Sequence, residues 1–230
     1  ETLLSSKKGH NRFLWNFRTH SESPDVNGVF VLGSYAGYAV APGSYQAKII
    51  LHPNNTDSSK AQTSSTTITV LPNPFIKANK EDWEFQQNTL ANISKSIKDI
   101  HTSVNNLRKV KKQLQYYTET LASIPDAKTI TDQATSIIKK IDTWETNIVE
   151  SRTQNGQDVI NWPSKLNVDF FYIKGLVDVS DPVVTSGVKN KLADLQASWN
   201  NEKAKLEAIY EAIQLFNSQF KNANISALQL

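Results

Sequence analysis

Hydrophobic and polar positions recur along the chain with two different periods, and the change from one to the other falls near residue 75. Before it the period is two. In the run from His10 to Arg18 the aromatics Phe13, Trp15 and Phe17 alternate onto one face, as a half-buried strand requires. Val29-Phe30-Val31-Leu32 is a short apolar run closed by Gly33, which predicts a strand buried on both faces. Ser44 to Leu51 alternates again, with Tyr45, Ala47, Ile49 and Leu51 on one side. Thr66 to Leu71 has the β-branched composition of a strand. Turn-forming residues separate these runs at Ser23-Pro24-Asp25, Asn27-Gly28 and Ala41-Pro42-Gly43, and in the polar stretch from Pro53 to Ser65. Short strands at this spacing predict a small sandwich, with an edge strand contributed by Glu1 to Ser5 or lost upstream. Pro72-Asn73-Pro74 stops the last strand and reads as a stiff linker.

Beyond the linker the apolar spacing becomes alternately three and four. Leu90, Ile93, Ile97, Ile100, Val104, Leu107, Leu114 and Leu121 form a seam, with Lys111 and Thr118 as its polar members. This predicts a helix of about 60 Å, capped at Asn79 with Asp82 three residues on, and ended by Pro125-Asp126. Glu81, Asp82 and Glu84 favour the positive end of its dipole. A second helix carries Ile130, Ala134, Ile137, Ile141, Trp144 and Ile148 and stops before Asn155-Gly156. A third follows Trp162-Pro163 with Leu166, Phe170, Ile173 and Val177. A fourth is expected to begin at Asp181-Pro182, an N-cap followed by proline, and carries a seam from Val188 to Phe220 interrupted by Glu202. The expected fold class is therefore α+β and multidomain: a small Ig-like β-sandwich over 1–74, incomplete at its N-terminus unless Glu1 to Ser5 supply the edge strand, then an antiparallel four-helix bundle over 75–230, running up-down-up-down.

Several of these runs carry a family likeness. Gly9-His10-Asn11-Arg12-Phe13-Leu14-Trp15-Asn16-Phe17-Arg18 resembles the G-x-N-x-F-x-W-x-x-R strand in the C-terminal region of large bacterial exported β-propeller proteins. These have sortilin-like or BNR-type repeats and are often labelled glycosyl-hydrolase-like. Val40-Ala41-Pro42-Gly43-Ser44-Tyr45 is similar to their V-x-P-G-x-Y turn, and Trp162 to Leu166 and Asp181 to Thr185 resemble their helix starts. Asn73-Pro74-Phe75 stands where the family has D-P-R. The likeness covers nearly the whole chain, by pattern more than by identity in the helical half. It implies an accessory region C-terminal to a propeller, in a protein exported from a Gram-negative-type bacterium. The propeller of the same polypeptide is then the expected partner, and a fold-level likeness does not itself fix a function.

Composition narrows the chemistry. The 230 residues carry a net charge of +3 spread along the chain, which implies neither nucleic acid nor an anionic membrane as partner. There is no cysteine, hence no disulfide, thiol nucleophile or cysteine-ligated zinc. No apolar run reaches the ~20 residues of a transmembrane helix. The chain opens at Glu1 without methionine or signal peptide and is read as part of a longer polypeptide.

The candidate residues divide between chemistry and structure. His10, His20, His52 and His101 are scattered without ligand spacing and read as surface histidines. Gly33-Ser34-Tyr35-Ala36-Gly37 has its serine one place too early for a nucleophile elbow and reads as a loop. Glu81, Asp82 and Glu84 read as a helix start rather than a metal or acid–base cluster, and Arg108 to Lys112 as a solvated helix face. Trp15, Trp144 and Trp199 read as core. Tyr35 and Tyr38, in the loop from Gly33 to Pro42, are the candidate sugar-stacking platform. Asn54-Asn55-Thr56, Asn92-Ile93-Ser94 and Asn224-Ile225-Ser226 match the glycosylation sequon and are idle in a bacterial protein. The expectation is a non-catalytic accessory and scaffold module without metal or cofactor, able to dimerise through its bundle. A carbohydrate-binding accessory domain is the alternative.

Overall fold

The structure, a computed structural model, describes residues 7–21, 23–52, 61–124 and 127–222. The expected edge strand at Glu1 to Ser5, residues 53–60 of the polar stretch, the Pro125-Asp126 stop and the sequons at Asn54 and Asn224 lie outside them. Its elements are β1 (Gly43–Leu51), β2 (Gln62–Val70), α1 (Lys80–Thr120), α2 (Lys128–Ile148), α3 (Leu166–Val177) and α4 (Ser186–Asn222). No helix among the described residues is long and apolar enough to cross a membrane.

The helices form where the seams predict them. Asn79 accepts from the Asp82 backbone N–H at 2.8 Å while the Asp82 carboxylate accepts from the Asn79 N–H at 3.1 Å, a reciprocal capping box at the start of α1. Glu84 pairs with Lys80 one turn back. The α1 seam from Leu90 to Leu107 is almost completely inaccessible. Lys111, its polar member, turns to the flank and meets Asp142 at 2.5 Å. Trp144 and Trp199 are core, and the Trp144 indole N–H donates to the backbone carbonyl of Glu202 at 3.0 Å. The fourth helix starts later than expected. Asp181 closes a short turn on the Val183 N–H, and the Thr185 hydroxyl accepts from the Val188 N–H at 3.4 Å, so Thr185 caps α4.

The arrangement differs from an up-down-up-down bundle. Arg108 pairs with Glu145 and Lys111 with Asp142, so α2 descends along the second half of α1. Gln86 donates to the Val177 carbonyl and His101 meets Phe171, so α3 continues the same descent along the first half. Gln196 bonds Ser96, and Phe216 and Phe220 pack on Tyr117, so α4 rises parallel to α1. Four helices thus make three columns: α1, a divided column of α2 and α3, and α4. At the division the chain turns extended at Val149, and Glu150, buried, takes two bonds of 2.7 Å from the Arg152 guanidinium. That pairing holds the Glu150 carboxyl down at about 2. The Arg152 guanidinium in turn lies 3.8 Å from the centre of the Trp162 ring.

Among the described residues no Ig-like sandwich is formed. Among the described residues the sheet has two antiparallel strands, with Tyr45 opposite Ile68 and Ile49 opposite Ser64. The run from His10 to Arg18 contributes only one isolated bridge, Arg18 to Ala39, because Phe17 takes a left-handed conformation (φ 57°) that breaks the extended chain. Val29 and Val31 are spent on the helical core rather than on a sheet layer, and Val26 lies inside that core at 3% exposure. A second β layer is therefore missing from the described residues, and segment 23–39 packs on helices instead.

Candidate interaction surface

The hairpin of β1 and β2 is amphipathic, and its apolar side is only half used. Tyr45, Ala47, Ile49 and Leu51 share a face with Ile68 and Val70, since residues opposite each other in an antiparallel ladder point the same way. At the base this face is covered: the Tyr45 ring meets Trp15 edge-on at 5.4 Å, Trp15 meets Phe17 at 5.0 Å, and the Tyr45 hydroxyl donates to the Ala41 carbonyl. Trp15 is thus half-buried rather than core. Toward the tip the cover ends, leaving Ile49 at 60% and Leu51 at 53% exposure. Phe13, Leu14, Leu71 and Phe75 are also exposed within the same N-terminal third. The nine residues of β2 include no charged residue and no proline, the usual guards of an open strand edge.

The segment before the hairpin is strapped onto the bundle by side chains that hold its backbone carbonyls. On α1, His101, Asn105 and Arg108 stand at i, i+4 and i+7, hence on one stripe of the helix. The His101 Nδ1 lies 2.9 Å from the Pro24 carbonyl, Asn105 donates to Asp25 at 2.8 Å, and Arg108 donates to Asn27. On α3, Lys174 donates to the carbonyls of Ser34 and Ala36, and burial pushes its ammonium pKa down. Asp178, just past the end of α3, pairs with Arg18 and accepts from the Ala39 N–H at 3.0 Å. Arg18 also donates to the Gly37 carbonyl, and Thr19 and Val40 close two backbone bonds, to Tyr38 and Phe17.

The loop that carries Tyr35 and Tyr38 is part of this strap. Tyr35 sets its ring against Phe171 at 4.9 Å and His101 at 5.7 Å. Burial, helped by the nearby Asp25 charge, pushes its hydroxyl up to about 12. Tyr38 is half-buried on the wall of a groove of about 530 Å³, with Thr19, Ser21, Ser94 and Lys95 among its neighbours. Burial raises its pKa as well. Both rings are half-buried, and Tyr38 but not Tyr35 lines that groove. Ser34 closes a turn on the Ala36 N–H, as a loop residue.

His10, His20 and His52 are exposed, but His101 is wholly buried, which corrects its placement on the surface. The signal was in the spacing, since His101 lies four residues after Ile97 and three before Val104. Of the basic run, Arg108 and Lys111 are tied to acidic partners on α2 and Lys109 and Lys112 face solvent, so the charges are distributed around the helix. Among the described residues no three histidine, aspartate or glutamate side chains are grouped as metal ligands would be. No family model, curated protein or solved structure matches the chain.

Proposed function

We propose that this chain is a non-catalytic accessory and scaffold module of a larger exported bacterial protein, and that its hairpin is where it meets a β-structured neighbour. The observation that carries this is the half-covered apolar face, with Ile49 and Leu51 exposed on a sheet that has two strands among the described residues. An isolated two-stranded hairpin is marginal in water, whereas a second layer would supply the missing cover. Burying each of these two side chains contributes about 1.5–3 kcal/mol. The polar side chains that might otherwise do chemistry are engaged in holding the chain together: Asp82 in a cap, and Arg18, Lys174 and Asp178 in the strap. The resemblance to the C-terminal region of propeller proteins names the neighbour as the propeller of the same polypeptide. In that setting the three-column bundle is a rigid arm, and the hairpin is its attachment.

The test is hydrogen exchange at the β1 amides in this chain alone and in the parent polypeptide. Protection is expected to rise at least tenfold in the parent, and the rise is expected to vanish with Ile49→Ser and Leu51→Ser together. Equal protection in the two settings would reject the hairpin as the docking element.

A further inference from the structure

The hairpin is tethered to the bundle through the strap, and the strap's deepest contact on α1 is an ionisable ring. His101 is completely buried between Tyr35, from the strap, and Phe171, from α3. The Nδ1 side is satisfied by the Pro24 carbonyl, which requires that nitrogen to carry the hydrogen. The Nε2 side is buried with no partner. The neutral ring with hydrogen on Nδ1 therefore fits the site, and a second hydrogen on Nε2 has no acceptor. Among the groups around the ring, Asp25 on the strap is the one whose charge favours protonation, Tyr35 stays neutral, and α3 sets the apolar Phe171 against it, with the Lys174 ammonium committed to the strap carbonyls of Ser34 and Ala36.

We propose that His101 is an acid-sensitive latch, whose protonation frees the strap, and with it the hairpin, from the stripe of His101, Asn105 and Arg108 on α1. A released strap returns Pro24 and the ring to water, where imidazolium is well solvated, so acid favours the open form. The sign follows from linkage. Burial outweighs the Pro24 hydrogen bond and the Asp25 charge and lowers the docked pKa below 6.5, so the latch is fully closed above 6.5 and weakens as pH falls below it. The open-to-docked ratio rises by up to about tenfold for each pH unit, until the docked pKa is reached. The opening is local. α1 and α3 also pack on each other directly, and that contact is expected to persist when the strap opens.

The experiment compares the wild-type chain with His101→Asn, whose amide can replace the Nδ1 donor and does not titrate. Native-state hydrogen exchange at Val29 and Val40, corrected for intrinsic rates, is followed from pH 7.5 to 4.5. Opening in the wild type is expected to rise relative to the variant by ten- to a hundredfold, with the α1 seam amides unchanged in both. The same slope in both proteins would overturn the proposal. Should His101→Asn not fold, NMR titration of the His101 ring in the wild type decides. A midpoint below 6.5 that coincides with the shift of the strap amides supports the latch, and a midpoint at or above 6.5 overturns it.

Discussion

A methyl group on residue 37 would stand 1.7 Å from the carbonyl oxygen of Thr19, so glycine is the one residue that lets the 17–19 and 38–40 segments approach. Gly33 is constrained in the same way, with an added Cβ falling 2.7 Å from that of Phe171. Such close approach costs backbone freedom in the unfolded chain and is repaid here by the Thr19 and Val40 bonds. Gly37→Ala is expected to separate the two segments, release those amides to exchange, and cost about 1–3 kcal/mol in denaturant titration. None of this is legible in a sequence, where Gly33 and Gly37 are merely loop formers. Their partners lie 18 residues upstream and 138 residues downstream in the chain, and only the folded geometry brings them near. Tyr35 shares that difficulty, since it owes its burial to Phe171 on a different element.

Elements were more readable than residues, and for a physical reason. A helix is made by contacts four residues apart, so its seam and cap are written locally. The Asn79–Asp82 box was visible as letters and forms as a reciprocal pair. Replacing Asn79 by Ala is expected to remove about 1 kcal/mol from the stability of the chain, measured by urea titration, with the helix content unchanged away from the first turn. A strand, by contrast, is made by its partner. The alternation of Phe13, Trp15 and Phe17 has the right period but meets no ladder among the described residues, and in the Val29–Leu32 run Val29 and Val31 pack on the helical core while Leu32 is exposed. Among the described residues only β1 and β2, consecutive in the chain, pair into a sheet. The start of α4 moved for a related reason: Asp181 found a nearer N–H, on Val183, and left the cap to Thr185.

At the scale of the whole molecule the count of helices did not determine their arrangement. Short connections predict antiparallel neighbours, and the connection between α2 and α3 is instead a bend that lets the chain keep going in one direction. The Glu150–Arg152–Trp162 cluster fills that bend, and nothing in the apolar spacing announces it. The result is two stacked storeys: α2 with the upper halves of α1 and α4, and α3 with their lower halves. One continuous apolar core runs through both storeys, as do α1 and α4. The two storeys are consequently expected to melt as a single cooperative unit only while those long helices stay continuous. Proline at the exposed Asn106, near the storey boundary on α1, costs about 3 kcal/mol or more locally. Its larger effect is expected to be a calorimetric trace that splits from one transition into two. The undivided length of α1 thus works like the shared upright of a two-tier frame: it carries little that a shorter helix could not bury, but it makes the fate of one tier the fate of the other.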